Sequence, residues 1–258
     1  MTSVSPMHVG ELWRYPVKSM AGERMAETDV RIDGIPGDRA LYVVDARGEI
    51  VSARTRPLLL GHRAAIGADG AVLVDGRPWD SPEVAADVEA AAGPGARIVP
   101  AAGPERFDIL PLLVATDGAI AAFGRDHRRL RPNIVLGGVP GLAERAWEGR
   151  QVAIADVVIA LADLRGRCIV TTYDPDTIDQ DVDVLLGIRA QFGGTLALNA
   201  WAGRPGRIAV GDAAELLDAV RPVDLPLVGR FVASPASRLR PGAAGAKRQQ
   251  PPRSRAAR

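Results

Sequence analysis

Cysteine is almost absent from this chain: Cys168 stands alone among 258 residues. One thiol cannot close an internal disulfide, so nothing in the sequence marks an oxidising compartment. Nor can it furnish a zinc finger or an iron–sulfur cluster, which draw several thiolates from one chain. Histidine is nearly as scarce. His8, His62 and His127 lie far apart, and a thiol protease needs a histidine base beside its nucleophile. His127 sits in Gly124-Arg-Asp-His-Arg-Arg129, which reads as a solvated loop. No apolar run approaches the ~18 residues of a membrane span. The first residues show no basic head before an apolar run, so no signal peptide is expected and the cytoplasm is the default location. A net charge of +1 argues against nucleic acid as the main partner. No G-x-x-x-x-G-K-[ST] and no G-x-G-x-x-G follows a strand, so the common nucleotide cradles are not expected. Nothing indicates a haem or flavin site.

What is present is ordinary globular sequence, 47% apolar, enough for a sizeable core. The first hundred residues read as short strands with turns: Val9–Tyr15, Arg39–Asp45, Ile50–Ala53, Arg63–Gly67 and Ala71–Asp75. Such spacing suggests a barrel or sandwich rather than βαβ units. Ser81-Pro-Glu-Val predicts a helix running to about Ala92, with Ser81 as cap and Pro82 in its first turn. Gly93-Pro-Gly95 stops it and marks a boundary between two halves. The second half mixes strands (Leu110–Ala115, Asn133–Leu136, Gln151–Ala155, Val157–Ala162, Cys168–Thr172, Thr195–Trp201, Arg207–Val210) with helices over 116–123 and 181–191. The latter helix places Val182, Leu185, Leu186 and Ile188 on one apolar face. From Arg238 to Arg258 the chain holds seven basic residues and no acid. Without them 25 basic residues face 31 acidic ones, a net charge of −6. That tail has one large apolar residue, Leu239, and is expected to be disordered.

The candidate chemistry begins at Gly166-Arg-Cys-Ile-Val-Thr-Thr-Tyr-Asp-Pro-Asp176. A lone cysteine is most often a small buried hydrophobe. Arg167 beside it would favour the thiolate, if its side chain turns that way. A soft metal held by this thiolate together with non-protein ligands is open. Tyr15-Pro-Val-Lys-Ser19 offers a point charge in Lys18 and a hydroxyl in Ser19. Arg39, Arg54 and Arg131 stand at strand entrances or ends. Singly each reads as a surface arginine. Converging, they would suit a multiply charged anion such as a phosphate-bearing cofactor.

Taken in order, L-W-R-Y-P-V-K-S, G-D-R, S-A-R-T-R-P, R-P-N-I-V-L, W-E-G-R, G-R-C-I-V-T-T-Y-D-P-D-T and P-G-R-I-A-V-G-D resemble the MOSC-domain family with its N-terminal β-barrel domain. That family includes the mitochondrial amidoxime-reducing component and bacterial reductases of N-hydroxylated bases. The resemblance covers about residues 7 to 220. It implies an α+β, mainly β fold: an N-terminal barrel domain over 4–100, then a MOSC β-barrel (pyruvate-kinase-barrel-like) over 101–220 with a few short helices. Residues 221–258 form a C-terminal extension. It implies a molybdenum–molybdopterin cofactor between the halves, with Cys168 as the protein ligand to the metal. Lys18, Ser19, Arg39, Arg131 and Asn133 would contact the cofactor. Arg167 would flank the metal ligand, and Arg54 lies in a shared motif. Asp108 matches an acid near the cofactor and is a catalytic candidate. Two positions depart from the family pattern: Ile109-Leu110 replaces hydroxyl residues after Asp108, and Ile178 stands where glycine is usual.

The resemblance implies a molybdenum-dependent oxidoreductase that removes oxygen from N-hydroxylated compounds, served by a separate electron-donor protein. The alternative is a non-redox carrier of the cofactor or of sulfur, using a Cys168 persulfide. Pyridoxal phosphate is not expected, since the domain that uses it in related sulfurases is absent. A third reading, a cofactor-free interaction barrel, requires Lys18, Arg39, Arg131 and Cys168 to be scattered in space.

Overall fold

Short β-branched runs punctuated by glycine and proline form sixteen strands and three helices among the described residues of the computed structural model. It describes residues 6–217 apart from 102, 104 and 105. The expected disordered tail and the whole of 221–258 lie outside the described residues. The elements are β1 (His8–Arg14), β2 (Glu23–Met25), β3 (Glu27–Val30), β4 (Leu41–Val44), β5 (Ile50–Val51), β6 (Ala64–Ile66), β7 (Val72–Val74) and β8 (Arg77–Pro78). Helix α1 (Pro82–Ala92) and β9 (Arg97–Pro100) follow, then β10 (Leu112–Thr116), α2 (Asp117–Phe123) and β11 (Ile134–Gly137). The chain continues through β12 (Gln151–Ile154), β13 (Val157–Gly166), α3 (Val182–Phe192), β14 (Thr195–Arg204), β15 (Gly206–Ala209) and β16 (Ala214–Leu217).

Eight strands form one sheet in the order β16-β12-β13-β14-β10-β11-β1-β2. Only β10 and β11 run parallel within it, and α2 supplies the crossover that parallel neighbours need. The start of β1 meets the segment leading into β16: Gly211 N donates to Val9 O at 2.7 Å and Val9 N to Asp212 O at 2.9 Å. The sheet therefore curls until its ends meet, which leaves few free edges. β3 pairs with β15, so the first thirty residues interlock with the second half. The small sheets β5-β4-β9 and β6-β7-β8 complete the first half.

The burial pattern follows. One core lies within the large sheet and includes Leu12, Leu112, Ile134, Ile159 and Leu198. A second lies where α1 covers the small sheets through Val84 and Val88, against Val17, Met20 and Val43. Each such side chain contributes roughly 1.5–3 kcal/mol on burial. Helix α1 starts as its sequence dictates: Ser81 Oγ accepts from Val84 N at 3.3 Å, and Pro82 occupies the first turn.

Two expectations are corrected. Helix α3 buries Val184, Leu185, Ile188 and Phe192, while Val182 and Leu186 are 53% and 54% exposed. Phe192 and the small core it joins with Phe123 and Leu130 turn the helix from the face expected. The run Cys168–Thr172 is not a strand. Ile169–Thr172 is a 3-10 turn, and Cys168 is the extended residue before it. The threonine hydroxyls decide this: Thr171 Oγ1 donates to Cys168 O at 2.8 Å and Thr172 Oγ1 to Ile169 O at 2.6 Å. Such local bonds compete with a sheet ladder.

Candidate functional site

The nine residues singled out in the sequence all line one cavity of about 810 Å³. Lys18, Ser19, Arg39 and Arg54 come from the first half; Asp108, Arg131, Asn133, Arg167 and Cys168 come from the second. They are not scattered, as a cofactor-free barrel would have them.

Backbone geometry aims several of them. Lys18 follows the bridge between Val17 and Leu41. Ser19, Arg39 and Arg131 have φ of 74°, 50° and 57°, in the left-handed region. Non-glycine residues there are uncommon and cluster at functional sites. Their surroundings hold them in place. Ser19 Oγ accepts from Ala53 N at 3.0 Å. Asp38, wholly buried, accepts from Tyr15 N at 2.8 Å and pairs with Arg39. Burial works against the Arg39 charge, but Asp38 outweighs it and raises the guanidinium above its ordinary value. Arg131 stacks over the Tyr15 ring at 4.3 Å, and Arg39 approaches the same ring at 5.0 Å.

Asn133 is engaged mainly by the protein. Its Oδ1 accepts from Leu113 N at 3.1 Å and from Arg39 at 3.5 Å, and its Nδ2 donates to Trp13 O at 3.3 Å. It ties β1 to β10 and steadies Arg39.

Asp108 faces Lys18 at 3.1 Å, Arg54 at 3.0 Å and Arg165 at 3.2 Å. Burial alone would raise its carboxyl, but the three cations hold it well below the usual carboxylate range. Arg54, raised above its ordinary value chiefly by Asp108, lines the same cavity as Cys168. Among the described residues Arg167 has no carboxylate partner. Its Nη2 donates to Leu130 O at 2.7 Å, and its Nε is buried with no partner among the described residues. Burial, reinforced by Arg165, lowers Arg167 to about 10. Burial, reinforced by Arg39, likewise lowers Arg131 to about 10. The lining thus holds six basic side chains (Lys18, Arg39, Arg54, Arg131, Arg165, Arg167) and one carboxylate, with the thiol of Cys168 in the same wall. Desolvated, undercompensated guanidiniums beside a thiol suit an anionic group that also offers a soft metal.

Arg165 was missed by reasoning from sequence. It donates to Asn199 Oδ1 at 3.2 Å and to Asp108. The signal was available: Arg165 and Arg167 are two apart at the end of β13, and alternate strand residues share a face. The threonine and acidic run after Cys168 also gains a local role. Arg129 donates to Thr172 O at 3.0 Å and pairs with Asp174 at 2.8 Å, while Arg128 holds Asp176 at 2.6 Å. These bonds tie the turn carrying Cys168 to the segment that ends in Arg131. His127 is no solvated loop residue: its Nε2 is 2.9 Å from Glu11 Oε2 and its side chain is 22% exposed.

No helix among the described residues is long and apolar enough to cross a membrane. Among those residues no cluster of three or more His, Cys, Asp or Glu could hold a metal by itself.

Comparison with known proteins matches residues 7–100 to the family model of the MOSC N-terminal beta barrel domain and residues 119–215 to that of the MOSC domain. The chain is similar to mitochondrial amidoxime-reducing component 1 of Homo sapiens, 24% identical over 229 residues, covering 66% of this chain and 67% of that protein. The Mus musculus protein of the same name is 32% identical over 133 residues, covering 43% of this chain and 37% of that protein. Among solved structures, the YUAD protein from Bacillus subtilis aligns with a TM-score of 0.42 at 14% identity, covering 82% of this chain and 96% of that one. YiiM from Escherichia coli aligns with a TM-score of 0.39 at 11% identity, covering 83% and 70%.

Proposed function

The chain belongs to the MOSC family, joining a MOSC N-terminal β-barrel domain to a MOSC domain, and from that premise we propose that it is a molybdenum-cofactor-dependent reductase of N-hydroxylated compounds. The observation that carries this reading is the single thiol, Cys168, set in a cavity wall with six basic side chains against one carboxylate. The unpartnered buried Nε of Arg167 fits the same reading, since a buried donor left unmade is expensive. Cys168 would give its thiolate to the metal. Lys18, Arg39, Arg54, Arg131, Arg165 and Arg167 would hold the phosphate and polar edges of the pterin. When bound, the cofactor would supply the two electrons that, with two protons, remove the oxygen of an N–OH group as water.

The residues of this chain supply position and charge. Arg54 holds Asp108 within the cavity that Cys168 lines. Asp108, kept ionised, is not the proton donor near neutral pH; it fixes Lys18, Arg54 and Arg165 relative to one another. Ile109 and Leu110 also line the cavity and make that part of its wall apolar. Asn133 positions Arg39. Electrons would come from a separate donor protein.

Turnover tests this. Protein from a host that makes the cofactor, given a chemical reductant and benzamidoxime, should form benzamidine, and Cys168→Ser should abolish the reaction. No turnover, with extra sulfur on Cys168 by intact-protein mass, would instead support a carrier.

A further inference from the structure

A second cavity, of about 420 Å³, shares Arg131 and Val170 with the first. Much of its wall is aromatic or apolar, including Trp13, Tyr15, Tyr173 and Leu60. The rings nearest β1 are fixed. Trp13 Nε1 donates to Glu11 Oε2 at 2.7 Å, and the Tyr15 hydroxyl donates to Pro132 O at 3.1 Å. Gly22 lies against the Tyr15 ring, where a Cβ would fall 2.5 Å from Cδ1, so a side chain has no room.

Four arginines line this cavity, and they divide into two kinds. Arg128 is neutralised by Asp126 and Asp176, both at 2.6 Å, and Arg129 by Asp174 at 2.8 Å. Arg63 and Arg131 have no carboxylate partner among the described residues. Arg131 has the face of Tyr15, and burial lowers it to about 10 although Asp38 and Asp108 act against that shift. A cavity with aromatic walls and, at Arg63, a guanidinium without an ion-pair partner among the described residues is complementary to a flat ring that carries an acid. Val170 lies two residues after Cys168 in the same turn, so the cavity adjoins the segment that bears the thiol.

We propose that this second cavity receives the body of the substrate, and that it selects a planar aromatic ring bearing an acidic substituent. The ring lies beside Trp13 and Tyr173, and the acid meets Arg63, since Arg131 is committed to the first cavity. The assignment of the ligand as substrate rests on the reductase reading; the binding preference itself does not.

Benzamidoxime and 4-carboxybenzamidoxime differ only in the acid. Calorimetric titration of the cofactor-loaded protein with each should show the carboxylated ligand binding about tenfold more tightly, the worth of one charge-assisted hydrogen bond. Arg63 is exposed, so Arg63→Gln should fold normally. It should erase the preference while leaving the neutral ligand's affinity unchanged, and Arg63→Lys should retain part of it. Equal affinity for the two ligands in the wild type overturns the proposal. So does a preference that survives Arg63→Gln, or one lost instead in Arg54→Gln, which would put the acid in the first cavity. The expected preference in a protein that reduces neither ligand would support the cavity's selectivity and overturn the reductase reading.

Discussion

Asp108 shows how one side chain can organise a site through charge alone. Burial would raise its carboxyl, yet Lys18, Arg54 and Arg165 together keep it ionised well below the usual range. A depressed folded value means that its stabilisation is present above the unfolded value, about pH 4, and is lost as pH falls through the folded value. Asp108→Asn keeps the shape and removes the charge. It should lower stability at pH 7 by about 1 kcal/mol or less, because the group is partly exposed and screened. The difference should shrink as pH drops below about 4, which thermal melts of both proteins across pH would reveal. A gap that stays constant into acid would show that the ion pairs contribute nothing. At this scale the sequence was legible where residue types are rare. Cys168 drew attention because no other thiol exists. Arg165 did not, because arginine is abundant and its target Asp108 lies 57 residues away in sequence.

Among elements, α3 is the clearest test of what periodicity can and cannot reveal. The pattern gave a helix over 181–191, and Val182–Phe192 is helical. The buried face was misjudged because Val182, Val184, Leu185, Leu186 and Ile188 offer more than one apolar stripe. Phe123, Leu130 and Leu196 select among them, and those partners are remote in sequence. Ile188→Ala should therefore cost about 2–5 kcal/mol in denaturant unfolding, while Leu186→Lys should fall within about 0.5 kcal/mol of the wild type. Equal losses at the two positions would contradict the packing described. The turn after Cys168 failed as a strand for a related reason. Its apolar and β-branched residues suit a strand, but two hydroxyls bonding backwards close a 3-10 turn instead. That turn, strapped by Arg128 and Arg129, is what sets Cys168 in the cavity wall.

For the whole molecule, chain order conceals the pairing. The mainly β class was legible from short strands and from the motif order. The interlock was not: β1 pairs with β11, and β3 with β15, and no local pattern encodes partners more than a hundred residues apart. This interlock is also what brings Lys18 and Arg39 from one half towards Cys168 and Arg131 from the other. The cavity exists only because both halves contribute to it, and its excess of positive charge is the property that the account turns on. The central claim is that this excess and the lone thiol hold a molybdenum–pterin group. Molybdenum and pterin should be measured in the purified wild type and in Cys168→Ser, both produced in a host that makes the cofactor. The account predicts stoichiometric metal and pterin in the wild type and loss of molybdenum from the variant; a wild type without either component, or a variant that keeps its full metal content, would contradict it.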